Sequence, residues 1–231
     1  MSADSASTLI LYHLNDSRSQ RVLWLLEELQ IPYELKKYQR TADKTAPKEM
    51  AEIHPFGTAP IIKDGETTIV ESGAIVEYLL RKYSAGKFQP PDTDAAKLDD
   101  LFLHPLYGGN IDAIARDEDN LSNPLVDPRL AVHANYVSIN LTTGDDGANV
   151  EHVSQIEEHL KKRGKWFAGG EEPTAADFMM SFPLETWASG RAGGLGDNIL
   201  AYVKRVHERP AYQRALEKGG PYSYASLQTA V

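Results

Sequence analysis

The 231-residue chain contains no cysteine. That absence removes disulfides, thiolate metal sites, CxxC redox pairs and any cysteine nucleophile. Sulfur chemistry, if there is any, needs a thiol brought by a ligand. Positive charge is also scarce: 24 Lys and Arg face 33 Asp and Glu, for a net charge of −9. A nucleic-acid-binding surface needs clustered cations, so no nucleic-acid partner is expected. No apolar run approaches the roughly 20 residues of a membrane-spanning helix. The first residues, MSADSASTLI, lack the basic and apolar regions of a secretory signal. The expectation is a cytoplasmic protein without an integral membrane segment. There is no GxxxxGK[ST] loop, and the Gly-rich run RAGGLG follows a helical pattern rather than a strand. The histidines do not gather into a ligand set. His152 and His159 lie seven apart on one predicted helix, and His104 and His133 fall on separate helices, so no metal is expected.

What the chain does contain is organised in two halves. Thr8 to Tyr12 (TLILY) reads as a buried strand, and His13 to Asp16 as a polar loop. Ser17 to Leu29 reads as a helix, with Val22, Leu25, Leu26 and Leu29 on one face and Ser17 as its N-cap. Ile31-Pro32 ends it, and a second strand follows over Tyr33 to Tyr38. Strand, helix and strand with short connections predict a parallel, right-handed βαβ unit. A short helix over Pro47 to Ile53 leads into Pro55-Phe56-Gly57. Pro60 to Lys63 and Thr67 to Val70 flank Asp64-Gly65, a hairpin signal. Ser72 to Tyr83 closes the unit as a helix with Ile75, Val76, Leu79 and Leu80 inward. A four-stranded mixed sheet carrying helices is expected over residues 1–84.

The run SAGKFQPPDTD, from Ser84, reads as a linker. Beyond it, over residues 94–231, there is no convincing strand. Helical patterns fall at Ala95 to Ala115, Pro128 to Leu141, Asn149 to Lys162, Thr174 to Trp187 and Ile199 to Glu208, with an acidic loop at Arg116 to Pro124. Thr174-Ala-Ala-Asp177 matches a capping box and is expected to be structural. The fold class is therefore α/β in the first half and all-α in the second.

The stretch from Ile53 to Tyr83 holds the features best suited to a small charged ligand. An X-Pro bond precedes a strand, which can present an edge to an extended peptide. Glu71 and Ser72 open a helix, whose free N–H groups and dipole favour a carboxylate.

With SRSQRVLWLLEEL, IHPFGTAP and ESGAIVEYL at these separations, the chain resembles the cytosolic glutathione transferases, in particular the microbial and fungal serine type. The resemblance implies a thioredoxin-like N-terminal domain, a helical C-terminal domain, and glutathione as co-substrate with no other cofactor. It places the glutathione thiolate near Ser17, with Asn15 and Arg18 as competing donors and Tyr12 more suited to the core. Asp16 sits where some relatives have their serine, and its carboxylate should point away from the sulfur. Glu71 and Ser72 are implied to hold the γ-glutamyl end, and Thr58, Ala59 and a cis Pro60 the cysteinyl backbone. His54 is implied at the glycyl carboxylate, where Arg40 and Lys44 could also serve by charge. A small hydrophobic electrophile would lie between the domains, against Leu103, Leu106, Tyr107 and Asn110. Thiolate attack on that electrophile is the implied reaction, with reduction of a peroxide as a second use of the same thiolate. A glutathione-transferase-like binding or regulatory protein without turnover is the alternative. A two-fold homodimer is implied as well, and the mixed charges Glu77, Arg81 and Lys82 on the last helix of the first half suit an isologous contact.

Overall fold

The computed structural model describes residues 8–106, 146–191 and 195–226, with side chains described except at 101–106, 146–152 and 190–191. The first half runs β1 (Leu9–Leu14), α1 (Ser19–Leu29), β2 (Tyr33–Tyr38), α2 (Glu49–Ile53), β3 (Ile61–Asp64), β4 (Thr67–Val70) and α3 (Ser72–Tyr83). The described helices of the second half are α4 (Asp94–Leu106), α5 (Asp146–Arg163), α6 (Ala175–Thr186), α7 (Asp197–Glu208) and α8 (Pro210–Gly219). A π-helical turn, Trp187–Arg191, continues α6.

The sheet order is β2-β1-β3-β4. β1 pairs parallel with β2 and antiparallel with β3, and β3 pairs antiparallel with β4. The mixed four-stranded sheet expected from the sequence is present. The hairpin differs in register by one residue. Asp64 pairs with Thr67, so the turn is Gly65-Glu66, with Gly65 at φ 60°. Asp64 belongs to the strand because its buried carboxylate has work there. It accepts the Tyr78 and Tyr83 hydroxyls and the Lys82 ammonium at 2.7, 2.5 and 2.7 Å, tying β3 to α3. These bonds, led by those from Lys82 and Tyr83, outweigh the cost of burial and hold Asp64 down at about 2.

α1 starts two residues later than the sequence suggests, at Ser19 rather than Ser17. It is buried almost all round because it lies between the sheet and the second half of the chain. Trp24 stacks obliquely on Phe178 of α6 at 4.5 Å and meets Tyr212 of α8 edge-on at 5.8 Å. One hydrophobic cluster therefore runs from Leu9 and Leu11 through Val22 to Leu26 into Met179, Val203 and Ala215. Ion pairs bolt the outer end of the same helix. Arg214 Nε reaches the Glu27 carboxylate at 3.0 Å, and Arg209 Nη2 reaches Glu28 at 3.0 Å. α8 was not expected. Pro210 sits at the first turn of this helix, where proline's missing N–H costs nothing.

Of the other predicted helices, Asn149 to Lys162 lies within α5, and Thr174 to Trp187 and Ile199 to Glu208 correspond to α6 and α7. The predicted helix Pro128 to Leu141, the acidic loop and the later part of Ala95 to Ala115 lie outside the described residues. Among the described residues, no helix is long and apolar enough to cross a membrane.

Candidate functional site

The register of the sheet gathers the candidate residues. Tyr12 of β1 pairs with Ile61 of β3, and Ile61 with Val70 of β4. The end of β1, the start of β3 and the end of β4 therefore lie in a row. The loop after β1, the segment before Pro60 and the Glu71-Ser72 pair all emerge at one end of the sheet. Open sheets place ligands where strands hand over to helices in this way.

The loop after β1 is built on a chain of small polar groups. Ser17 Oγ donates to the Leu14 carbonyl at 2.7 Å, lies 2.8 Å from Ser19 Oγ and accepts the Ser19 N–H at 3.2 Å. Ser19 Oγ lies 2.9 Å from both His13 Nδ1 and the Leu14 carbonyl. Ser17 thus caps α1 from one position further out than expected, while Arg18 in the N-cap position makes no side-chain cap bond. Ser17 is only 5% exposed, whereas Asn15 and Arg18 are half-buried. Burial, with Lys37 nearby, pushes the His13 imidazole down to about 4.

Asn15 is committed to the scaffold: its Oδ1 accepts the Arg40 N–H at 2.7 Å, and its own N–H donates to Tyr38 at 3.2 Å. The Arg40 guanidinium in turn binds the carbonyls of Lys44 and Asp16 at 2.8 and 3.1 Å. That cation braces the loop and is less available to a ligand carboxylate than its charge suggests. Asp16 adopts φ 47°, and its carboxylate turns to Ser223 near the C-terminus. Tyr12 is 8% exposed and packs with Met50 and Ile61 in a small cluster under α2, as a core residue should.

The Ala59-Pro60 bond is cis. Ladder pairing of β3 begins at Ile61, so Thr58 and Ala59 lie outside the sheet's own register. Thr58 is exposed, Ala59 half-buried and Pro60 buried. His54 ends α2. Its Nδ1 accepts the Phe56 N–H at 3.3 Å and its ring meets Phe56 edge-on at 4.8 Å.

Glu71 carries a signal that no sequence pattern shows. It stands at φ 69°, ψ 118° at the head of α3, with no side-chain cap, and its carbonyl accepts the Ile75 N–H at 2.9 Å. A non-glycine residue in such a conformation costs on the order of 1–3 kcal/mol and persists where the surroundings demand it. Ser72 beside it is 2% exposed.

Sequence reasoning missed Arg21. It is 1% exposed, and its Nη1 lies 3.5 Å from Ser72 Oγ and 3.8 Å from Met179 Sδ. Burial and the neighbouring Arg18 pull this guanidinium down to about 9, against the counter-charge of Glu185. The available signal was its position: Arg21 lies four residues before Leu25, on the apolar stripe of α1. A cation there sits in the core beside the head of α3.

Leu103 and Leu106 fall on α4, but their side chains, and Tyr107 and Asn110 altogether, lie outside the described residues. Among the described residues, no group of three or more His, Asp or Glu could hold a metal ion. His159 bonds the Phe167 carbonyl at 2.8 Å and stacks on that ring, a structural use.

Residues 11–90 match the family model of the glutathione S-transferase N-terminal domain. The chain is 33% identical to glutathione S-transferase 3 of Schizosaccharomyces pombe, covering 91% of this chain and 87% of that one. It is 28% identical to glutathione S-transferase 1 of Saccharomyces cerevisiae, over 89% and 92%. A glutathione S-transferase structure from Actinobacillus pleuropneumoniae superposes with a TM-score of 0.72 at 30% identity, over 96% of this chain and 97% of that one. With a cis-proline turn at one end of a thioredoxin-like sheet and relatives matching along nearly its whole length, this chain belongs to the glutathione S-transferase family.

Proposed function

We propose that the protein binds glutathione across the row of β1, β3 and β4 ends and activates its thiol for attack on a small hydrophobic electrophile. The observation that carries this reading is the convergence, through the sheet register, of two helix starts whose N-cap side chains make no cap bond on the segment before the cis proline. The Ser72 N–H and hydroxyl, at the head of α3, take the γ-glutamyl carboxylate, with the buried Arg21 charge behind them. Glu71 meets the γ-glutamyl ammonium. Thr58 and Ala59 offer main-chain groups to the cysteinyl unit in the manner of an added strand. His54 borders the glycyl end.

The sulfur then lies over the start of α1. A free thiol has a pKa of about 8.5, and lowering it by two units takes about 2.7 kcal/mol. A helix terminus supplies roughly 0.3–1 kcal/mol of that, and one charge-assisted hydrogen bond roughly 1.5–3 kcal/mol. Ser17 is the proposed donor. Its hydrogen turns from the Leu14 carbonyl to the sulfur, and Ser19 Oγ, 2.9 Å from the same carbonyl, takes its place. Arg18 and Asn15 are the competing donors, the latter through its Nδ2, since only its carbonyl oxygen is committed to Arg40. The thiolate forms the new S–C bond and the leaving group departs with its electron pair; reduction of a hydroperoxide is the second proposed use of the thiolate.

The protein is further proposed to act as a two-fold dimer in the cytoplasm, with Leu103, Leu106, Tyr107 and Asn110 walling the electrophile site. Phe56 and Leu98, 58% and 63% exposed, are large apolar side chains that a partner subunit would cover. The charges on α3 contribute less than their sequence suggests, because Arg81 pairs with Glu77 and Lys82 with Asp64. Titration of the bound glutathione thiol, with turnover of a reactive aryl halide, tests the catalytic reading. A thiol pKa left near its free value in the complex would sink it. Sedimentation should show twice 25.6 kDa, and a fully active monomer would remove the dimer.

A further inference from the structure

The segment after α8 returns to the proposed site. Gly220, at φ 93°, turns the chain out of the helix. Three successive residues then attach it. The Tyr222 hydroxyl donates to Glu185 of α6 at 2.7 Å. The Ser223 N–H and hydroxyl donate to the two oxygens of the Asp16 carboxylate at 2.7 and 2.8 Å. Tyr224 is buried and meets Phe182 edge-on at 5.7 Å. The ends of the Asp16–Ser223 contact are 207 residues apart in sequence. Asp16 is the one acidic residue between His13 and Arg18, in the loop that holds all three candidate thiolate donors.

A loose carboxylate in that loop opposes a thiolate directly, since a like charge nearby disfavours the ionised form. In this structure the carboxylate is fixed instead. Both its oxygens are occupied by donors of the strap, with Asn15 Nδ2 at 3.4 Å as a further neighbour. Its main-chain carbonyl is held separately by Arg40. The loop is gripped from both sides, and the direction of its only negative charge is set from the far end of the chain.

We propose that Ser223 is a positioning residue for the thiol chemistry: by binding both carboxylate oxygens of Asp16 it directs that charge onto the C-terminal strap and away from the glutathione sulfur. This rests on the reading that the sulfur lies at the start of α1. The mechanism is electrostatic, so it makes a demand that simple bracing does not. Loss of the Ser223 hydroxyl should matter only while Asp16 is charged.

The experiment measures the thiol pKa of bound glutathione, by the ultraviolet absorbance of the thiolate, together with kcat and KM for an aryl halide. It compares the full-length wild type, Ser223→Ala, Asp16→Asn and the double variant. Ser223→Ala should raise the bound thiol pKa and cut turnover at neutral pH about threefold to tenfold, as expected for a partly screened like charge, with little change in the glutathione KM. In the Asp16→Asn background the same change should have no effect, and Ser223→Thr should behave as wild type. Two results overturn the proposal. One is an unchanged thiol pKa in Ser223→Ala; the other is an equal loss with and without the Asp16 charge, which would make the strap a mechanical brace. A wild-type complex with a normal thiol pKa would overturn the parent reading too, and is distinguished because it shows before any variant is made.

Discussion

At the start of α6 the N-cap residue and the acid three residues on close the helix together; at the starts of α1 and α3 the N-cap side chains make no such bond. The Asp177 carboxylate reaches back to the Thr174 N–H at 2.9 Å, lies 3.2 Å from the Thr174 hydroxyl, and accepts the Phe167 N–H at 3.0 Å. Every partner is internal and buried. At α1 and α3 the N-cap positions hold Arg18 and Glu71, neither of which closes the helix with its side chain. A helix start carries a field favourable to anions; at α6 a carboxylate of the fold lies against it, whereas at α1 and α3 the N-cap side chains add none, which suits the proposed ligand sites. The role of the N-cap side chain therefore sets the α6 start apart from the two starts proposed to bind the ligand more clearly than residue type does, since a Ser or Thr and an acidic residue lie at all three.

The contrast can be broken most severely at its closed end. Asp177→Ala leaves two buried N–H groups and a hydroxyl without their acceptor, so a loss of about 4 kcal/mol is expected from roughly 1–3 kcal/mol per orphaned group. Urea unfolding should show it, while glutathione affinity of the remaining folded protein stays unchanged. A parallel loss of affinity would mean that the two kinds of helix start are coupled.

Acid titration sharpens the comparison next, because the two regions respond with opposite sign. His13 is held at about 4, below its ordinary value of 6.5. Between those values the unfolded chain takes up the proton first, so stability falls as pH drops through this window, by up to about 3 kcal/mol. Asp177 is pushed up to about 7 by burial, from 3.8. Here the folded state holds the proton longer, so stability is present at low pH and is lost as pH rises towards 7. The wild type should show a shallow profile between pH 4 and 6.5. Asp177→Asn removes the opposing contribution, and its stability should climb steadily with pH over that range. A flat profile in the variant would contradict the assignment to His13.

At the open ends the expected effects are smaller in energy and show in kinetics. Ser17→Ala should lower transfer at least tenfold, about 1.4 kcal/mol in the barrier, and raise the bound thiol pKa with the glutathione KM little changed. An unchanged thiol pKa moves the donor role to Arg18 or Asn15. Glu71→Gly should do two opposite things. Glycine accepts φ 69° without penalty, so stability should rise by about 1 kcal/mol, while the glutathione KM rises because a ligand contact is gone. A stabilised variant with unaltered KM would show that the strained conformation serves the fold and not the ligand.

Much of this was legible in the sequence where causes are local. The apolar stripe of α1, the hairpin, the X-Pro turn and the Thr174 to Asp177 cap are each written within a dozen residues. What could not be read has causes elsewhere. The Glu71 dihedral belongs to the joint between β4 and α3 and leaves no mark in the residue letters. Arg21 is buried because a whole helical domain lies over α1. The Asp16–Ser223 contact joins the two ends of the chain. α8 was missed for a different reason: Pro210 carries the same letter whether it stops one helix or begins the next.

The hydroxyl chain behind Ser17 has a countable consequence. Four short contacts join His13 Nδ1, Ser19 Oγ, Ser17 Oγ and the Leu14 carbonyl oxygen, while the two hydroxyls own only two hydrogens. If the neutral imidazole carries its proton on Nε2, Ser19 must donate to the ring, and two of the remaining oxygen pairs compete for one hydrogen. With the proton on Nδ1 the ring donates to Ser19, and the hydrogens of Ser19 and Ser17 serve two of the three remaining oxygen pairs. Burial keeps that ring uncharged. The hydroxyls of Ser17 and Ser19 thus form a relay whose direction turns with the tautomer of the imidazole: at most three hydrogens serve the four contacts, and at least one pair is always left without one.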